Sequence, residues 1–112
     1  MKVQFLFIMI RSLSCRDFAA HNQENLDWCF VIDVREEEEY VEGNIEGARN
    51  IPLSIFGAYV EELRMMSKER PLVIHCAHGL RSLRACEFLL DQGIEDTFNL
   101  EGGFELYRIL SS

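Results

Sequence analysis

The chain has 112 residues, of which 48% are hydrophobic and 27% are charged, and its net charge is −8. This length and composition predict a single domain over residues 1–112 with one hydrophobic core. Because an acidic surface repels phosphate groups and anionic lipids, we expect neither a nucleic-acid partner nor a membrane partner. No apolar stretch reaches the ~20 residues of a membrane-spanning helix.

The first apolar stretch, residues 3–10, has two interpretations. It follows Lys2 and precedes Ser12 and Ser14, an arrangement similar to a secretory signal sequence. However, Gln4 interrupts the stretch and Arg11 ends it. We therefore favour a buried first strand within residues 5–13.

The cysteines, at positions 15, 29, 76 and 86, form no Cys-x-x-Cys pair and have no zinc-finger spacing with histidines. We therefore expect no bound metal and no cofactor. A domain this rich in apolar residues does not need disulfide bonds. The cysteines thus predict free thiols and a cytoplasmic location.

Further along the chain, short apolar segments alternate with longer amphipathic ones, which predicts an α/β domain with a mostly parallel sheet. Ser14 is the predicted N-cap of a helix that begins at Cys15. Further strands are predicted at residues 29–34, 48–51, 72–75 and 97–100. Further helices are predicted at residues 36–41, 54–66, 82–92 and 104–110.

Residues 72–84, LVIHCAHGLRSLR, place a cysteine between a buried strand and a helix. In open α/β sheets, ligands bind at the carboxyl ends of strands, and a loop that closes onto a helix N-terminus aims its N–H groups at one centre. Gly79 suits such a loop because glycine readily adopts positive φ. The N–H groups, the helix dipole and Arg81 favour a thiolate at Cys76, which we predict to be a nucleophile. The alternative is an inert buried thiol.

Four stretches of the sequence together resemble the rhodanese homology domain. They are Asp33-Val34-Arg35 with Glu39-Tyr40, residues 43–52 (GNIEGARNIP), residues 76–82 (CAHGLRS) and residues 100–103 (LEGG). The stretches follow the order of that family and extend over about residues 30–107. The resemblance therefore covers most of the chain and rests on separate motifs that agree.

The resemblance implies a fold and a reaction. The implied fold is an α/β three-layer sandwich, in which a five-stranded parallel sheet of order 1-5-4-2-3 has helices on both faces. In the implied reaction, Cys76 takes a sulfane sulfur from thiosulfate or a persulfide, holds it as a persulfide, and passes it to a thiol or to cyanide. A persulfide-carrying protein is a further candidate partner. The implied binding loop is the backbone of Ala77, His78, Gly79, Leu80 and Arg81.

The chain departs from the family pattern at three positions. Many members have a cation directly after the loop cysteine, where this chain has Ala77. We therefore expect the dianion thiosulfate to be a weaker donor than a persulfide such as that of glutathione. Asn44 replaces a frequent histidine, with a local effect on hydrogen bonds, and Tyr107 replaces a frequent tryptophan, which we interpret as packing.

Two alternative functions belong to the same fold. Phosphatases of this fold use a Cys-x-x-x-x-x-Arg loop, whereas Arg81 lies five positions after Cys76, so the loop is one residue shorter. Phosphatase activity therefore ranks second. Some members of the family are non-catalytic interaction modules, but those typically lack the loop cysteine.

Several charged side chains are candidates for supporting roles. Asp33 ends a buried strand near Cys76, and we expect it to orient the loop or to pair with an arginine. Arg81 is expected both to bind an anionic donor group and to tie the loop to a carboxylate. Arg35 and Glu39, four positions apart, are expected to pair on a helix face.

The remaining candidates are histidines and a cysteine. His75 is expected to be a core histidine whose hydrogen bonds are satisfied. His78 could tune Cys76 near neutral pH, but we expect it to point away from the loop centre. Cys86, on the apolar side of a helix, is expected to be a small buried hydrophobe rather than a disulfide partner of Cys76.

Overall fold

The computed structural model describes residues 10–111. Its sheet has five parallel strands in the order β1-β5-β4-β2-β3, which confirms the predicted fold class and strand order. The strands are β1 (Arg11–Leu13), β2 (Phe30–Asp33), β3 (Arg49–Asn50), β4 (Leu72–His75) and β5 (Thr97–Leu100). Most of residues 3–10, the apolar stretch for which two interpretations were given, lies outside the described residues. The first part of the strand predicted within residues 5–13 lies outside them as well.

The helices lie on both faces of the sheet. They are α1 (Cys15–Glu24), α2 (Glu37–Glu42), a 3-10 helix (Leu53–Tyr59) continued by α3 (Val60–Ser67), α4 (Leu80–Asp91) and α5 (Gly103–Ser111). As predicted, Ser14 caps α1: its hydroxyl accepts a hydrogen bond from the N–H of Asp17 at 3.0 Å. Helix α2 begins with a capping box between Glu36 and Glu39.

Successive side chains of β4 point to opposite faces of the sheet, so the core has two layers, one on each face. All four residues of β4 are buried, as expected of a central strand covered on both faces. Ile74 packs with Leu63 of α3 and Leu89 of α4 on one face. Val73 packs with Phe18 of α1 on the other face.

The second layer also explains Tyr107 of α5. Its ring lies 5.8 Å from that of Phe18, in an edge-to-face arrangement. This contact agrees with the interpretation that the position serves packing.

Several element boundaries differ from prediction. Strand β3 has two residues rather than four, and the helix predicted from Ser54 begins as a 3-10 helix at Leu53. Helix α4 begins at Leu80 rather than at Ser82. Gly79 precedes α4 with a φ of 108°, a left-handed conformation that lets the chain turn directly into the helix.

The carboxyl ends of the strands bring the candidate residues to one edge of the sheet. Asp33, the last residue of β2, is paired in register with His75, the last residue of β4. Cys76 follows at once, and Asn99 lies near the end of the neighbouring strand β5. This edge is where ligands bind in open parallel sheets.

Candidate active site

The sulfur of Cys76 lies inside the loop between β4 and α4. The N–H of Gly79 donates a hydrogen bond to Sγ at 3.0 Å, and the hydroxyl of Ser82 lies 3.4 Å from Sγ. The backbone N–H groups of His78 and Ser82 also donate hydrogen bonds to the sulfur. Cys76 itself is only 1% exposed, so a reacting atom has to enter the loop to reach it.

This arrangement favours the thiolate form of Cys76. Burial raises the pKa of the Cys76 thiol, but hydrogen bonds from the Ser82 hydroxyl and from the N–H groups of Ser82, Gly79 and His78 lower it. The hydrogen bonds outweigh burial, so the pKa lies below its ordinary value. A larger thiolate fraction at neutral pH makes a cysteine a better nucleophile.

Ser82 and Asn99 form a hydrogen-bond chain to the sulfur that the sequence analysis did not predict. The hydroxyl of Ser82 donates to Oδ1 of Asn99 at 2.6 Å, and Nδ2 of Asn99 donates to the carbonyl of Gly79 at 3.3 Å. Asn99 is only 7% exposed. An amide in a buried strand needs hydrogen-bond partners, and that was the available signal for Asn99.

The first turn of α5 binds the backbone of the loop. The N–H groups of Phe104 and Glu105 donate to the carbonyls of Cys76 at 2.8 Å and of Ala77 at 3.1 Å. Gly103 makes this approach feasible, because a Cβ atom there would lie 2.5 Å from the carbonyl oxygen of Cys76. The structural role of this glycine was also missed from the sequence.

The guanidinium of Arg81 forms an ion pair with a carboxylate. Its Nη1 and Nη2 donate to the two carboxylate oxygens of Glu39 at 2.7 and 2.9 Å. These hydrogen bonds are the main reason that the pKa of Glu39 is lowered to about 2. The prediction that Arg81 ties the loop to a carboxylate is therefore confirmed, with Glu39 as the partner. The predicted pairing of Arg35 with Glu39 is wrong.

Arg35 pairs with Asp33 instead. Its Nε lies 3.1 Å from both carboxylate oxygens of Asp33, and its Nη2 donates to Oδ2 at 2.8 Å. Nη2 also donates to the carbonyl of Gly43 at 2.7 Å, and the guanidinium lies 4.3 Å from the ring centre of Phe104. Arg35 and Asp33 are almost fully buried, at 3% and 0% exposure respectively. The pair joins β2, the turn after α2, and α5 beneath the loop.

His75 is buried as predicted, but its hydrogen bonds are not all satisfied. Its Nδ1 lies 3.3 Å from the carbonyl oxygen of Cys76, whereas Nε2 has no hydrogen-bond partner. Nε2 lies 3.7 Å from Oδ2 of Asp33, which is already bound by Arg35. Burial lowers the pKa of His75, although the nearby carboxylate of Asp33 opposes this effect.

The other candidate residues lie as follows. His78 and Leu80 are exposed and Ala77 is partly exposed, so the loop presents its side chains outward. Cys86 is buried in the core, and burial raises its pKa to about 12, in keeping with an inert thiol. All four cysteines are free.

In the described part of the chain, no cluster of His, Cys, Asp or Glu could hold a metal ion, and no helix has the length and apolar character to cross a membrane.

Comparisons with known proteins agree with the geometry. The family model of the rhodanese-like domain matches residues 16–109. Thiosulfate sulfurtransferases GlpE of Shewanella oneidensis and Pseudomonas paraeruginosa are 32% and 36% identical over 78 residues, which are 70% of this chain and 74% and 68% of theirs. A Rhodopseudomonas palustris protein of unknown function, described as a possible tyrosine phosphatase, superposes with a TM-score of 0.86 over 99% of this chain and 89% of its own. At 21% identity, that structure shows the fold alone.

Proposed function

We propose that this chain, which belongs to the rhodanese-like domain family, is a sulfurtransferase that holds the transferred sulfur on Cys76. The observation that carries the proposal is the set of hydrogen-bond donors around Sγ, which come from Ser82, Gly79 and His78. The relatives named thiosulfate sulfurtransferase support the general activity. The free thiols support a reducing compartment such as the cytoplasm.

In the first half of the reaction, the thiolate of Cys76 attacks the sulfane sulfur of the donor. A new S–S bond forms between Sγ and that sulfur, and the bond between the sulfane sulfur and the rest of the donor breaks. With a protonated persulfide R–S–SH as donor, the products are Cys76–S–SH and the thiolate R–S⁻. No net oxidation or reduction from outside is required, since the sulfur moves from one carrier to another.

In the second half, the acceptor attacks the terminal sulfur of the Cys76 persulfide. Cyanide gives thiocyanate and a thiol acceptor gives a new persulfide, and in both cases the thiolate of Cys76 is regenerated. The N–H groups that face Sγ also suit the terminal sulfur of a persulfide anion, because amide donors around a small centre stabilise negative charge. Little proton movement is needed, so no general acid has to be assigned.

The side chain of Arg81 supports sulfur transfer over phosphate hydrolysis. A phosphatase of this fold needs a loop arginine that is free to bind phosphate oxygens. Arg81 instead gives both terminal nitrogens to Glu39, and the loop from Cys76 is one residue shorter than the phosphatase pattern. Phosphatase activity therefore remains the second candidate.

Mass spectrometry after exposure to a sulfur donor tests the proposal. We expect one added sulfur atom on the peptide that contains Cys76, and no thiocyanate formation by Cys76→Ser. The matched control is Cys15→Ser, because Sγ of Cys15 donates to the carbonyl of Glu101 at 3.3 Å and a hydroxyl can replace that bond.

Three results would contradict the proposal. Equal sulfur labelling of the other cysteines would remove the special role of Cys76. Release of phosphate from an aryl phosphate by way of Cys76, without thiocyanate formation, would favour the phosphatase. If neither activity appears with a folded protein, the chain is an interaction module.

A further inference from the structure

Two arginines near the reactive sulfur, Arg81 and Arg35, are already paired with carboxylates. Arg81 lies in the first turn of α4, and its guanidinium is close enough to Cys76 for the thiolate charge to add to the effect of Glu39 in raising the pKa of Arg81. Both of its terminal nitrogens donate to Glu39. Arg35 is buried and bound to Asp33. At Arg81, a donor that approaches Cys76 therefore meets an ion pair and not an open cation.

We propose that Glu39 determines the donor class of this site: by holding Arg81 in a two-bond ion pair, it disfavours the dianion thiosulfate and leaves the site suited to organic persulfides of low charge. This inference rests on the proposed function, because it concerns the donor of the same reaction. It adds a specificity-determining residue that lies on α2, outside the loop.

Geometry explains why Glu39 competes strongly with an anionic donor. Its carboxylate forms two hydrogen bonds with Arg81, and Oε1 also accepts from the N–H of Glu36 at 3.0 Å, as part of the capping box of α2. A sulfonate that binds Arg81 has to break the two bonds to Arg81 while Glu39 stays held by its own helix. The low pKa of Glu39 means that it remains charged at neutral pH, so protonation does not release the arginine.

The two donor classes place different charges beside this carboxylate. With thiosulfate, the thiolate of Cys76 takes the outer sulfur, the S–S bond breaks, and sulfite leaves as a dianion next to Glu39. With a protonated persulfide, the leaving group is a thiolate with one negative charge. Because Cys76 is 1% exposed, the sulfur enters the loop while the rest of the donor stays near Arg81 and Glu39, where this difference acts.

The test compares thiosulfate with cysteamine persulfide, whose ammonium group balances its persulfide charge. The variant is Glu39→Gln, which removes the charge but retains the side chain that a capping box accepts at this position. The matched control is Glu38→Gln, since Glu38 is an exposed residue of the same helix and its replacement changes the net charge equally.

We expect Glu39→Gln to raise kcat/KM for thiosulfate, relative to that for the persulfide, by about tenfold, the size of one charge-assisted hydrogen bond that becomes available. The gain should appear in KM, and Glu38→Gln should leave the ratio at its wild-type value. Ala77→Arg is an independent second variant: it adds an unpaired cation to the loop with Glu39 intact, and should shift the ratio in the same direction. Circular dichroism establishes that each variant is folded.

The outcomes separate this inference from the proposed function. If wild type already saturates with micromolar thiosulfate, or if Glu39→Gln leaves the ratio unchanged whether or not Ala77→Arg shifts it, Glu39 does not set the donor class, although Cys76 still carries sulfur. An equal shift in Glu38→Gln would assign the effect to overall charge and also overturn the inference. If Cys76 takes up sulfur from neither donor, the proposed function itself fails.

Discussion

Replacing Ser82 with alanine should raise the pKa of Cys76. The substitution removes the hydroxyl that lies 3.4 Å from Sγ but leaves the backbone N–H of residue 82 and those of Gly79 and His78 in place. One of four hydrogen-bonding groups is lost, so the thiolate should become less stable without the loop losing its shape.

The size of the shift depends on the other partner of that hydroxyl. A hydrogen bond to a charged group contributes about 1.5–3 kcal/mol. The hydroxyl has a single proton, however, and it donates to Asn99 at 2.6 Å. Turning towards the thiolate costs that neutral bond, about 0.5–1.5 kcal/mol. The difference of about 1 kcal/mol predicts a rise of about 0.5–1 pKa unit.

The measurement is the rate of alkylation of Cys76 by iodoacetamide as a function of pH, followed by mass spectrometry of the peptide. The core thiols do not interfere, because burial raises the pKa of Cys29 and of Cys86 to about 12. Ser67→Ala is the matched control, since its hydroxyl binds the carbonyl of Arg64 in α3. A midpoint in Ser82→Ala equal to or below that of wild type would refute the reasoning.

Two further predictions concern the buried charges beneath the loop. Arg35→Ala leaves the carboxylate of Asp33 buried without its partner and should lower the free energy of unfolding by about 3–5 kcal/mol in urea titrations. Arg108→Ala, which breaks an exposed pair with Glu105, should cost less than about 1 kcal/mol, and equal losses would contradict this account. Because burial lowers the pKa of His75, the unfolded state binds more protons than the folded state near and below pH 6.5, so stability should fall as the pH drops below about 6.5, by up to about 1.4 kcal/mol per pH unit. His75→Gln should flatten the curve just below pH 6.5, where Glu39 is ionised in both states, and an equally steep curve there would show that another group is responsible.

Much of the fold could be predicted from local patterns. The run of four buried residues in β4 was visible as an apolar segment that ends immediately before a cysteine. The positive φ of Gly79 was also predictable, because a tight turn into a helix needs a residue without a Cβ atom. The exact start of α4 could not be predicted, because the turn is completed within the loop. The helix therefore begins two residues earlier than its apolar pattern indicates.

The pairing of the charged residues shows where local rules stop. Spacing of four positions suggested that Arg35 and Glu39 pair, but α2 begins only at Glu37, so helical spacing does not apply to Arg35. Arg35 turns back to Asp33, two positions before it, and Glu39 reaches Arg81, 42 positions away. Helical spacing indicates neither of these pairs, although Asp33 was expected to pair with an arginine.

The sequence by itself therefore determined the kinds of segment, the position of the proposed nucleophile and the family to which the motifs point, because hydrophobic periodicity and turn residues act over short distances along the chain. The tertiary structure decided the environment of the sulfur: the chain from Cys76 through Ser82 to Asn99, the hold of α5 on the loop carbonyls, and the ion pair on Arg81. These contacts join residues from different strands and helices. They exist because parallel strands bring their carboxyl ends to one edge of the sheet, where the buried polar groups must find partners in each other.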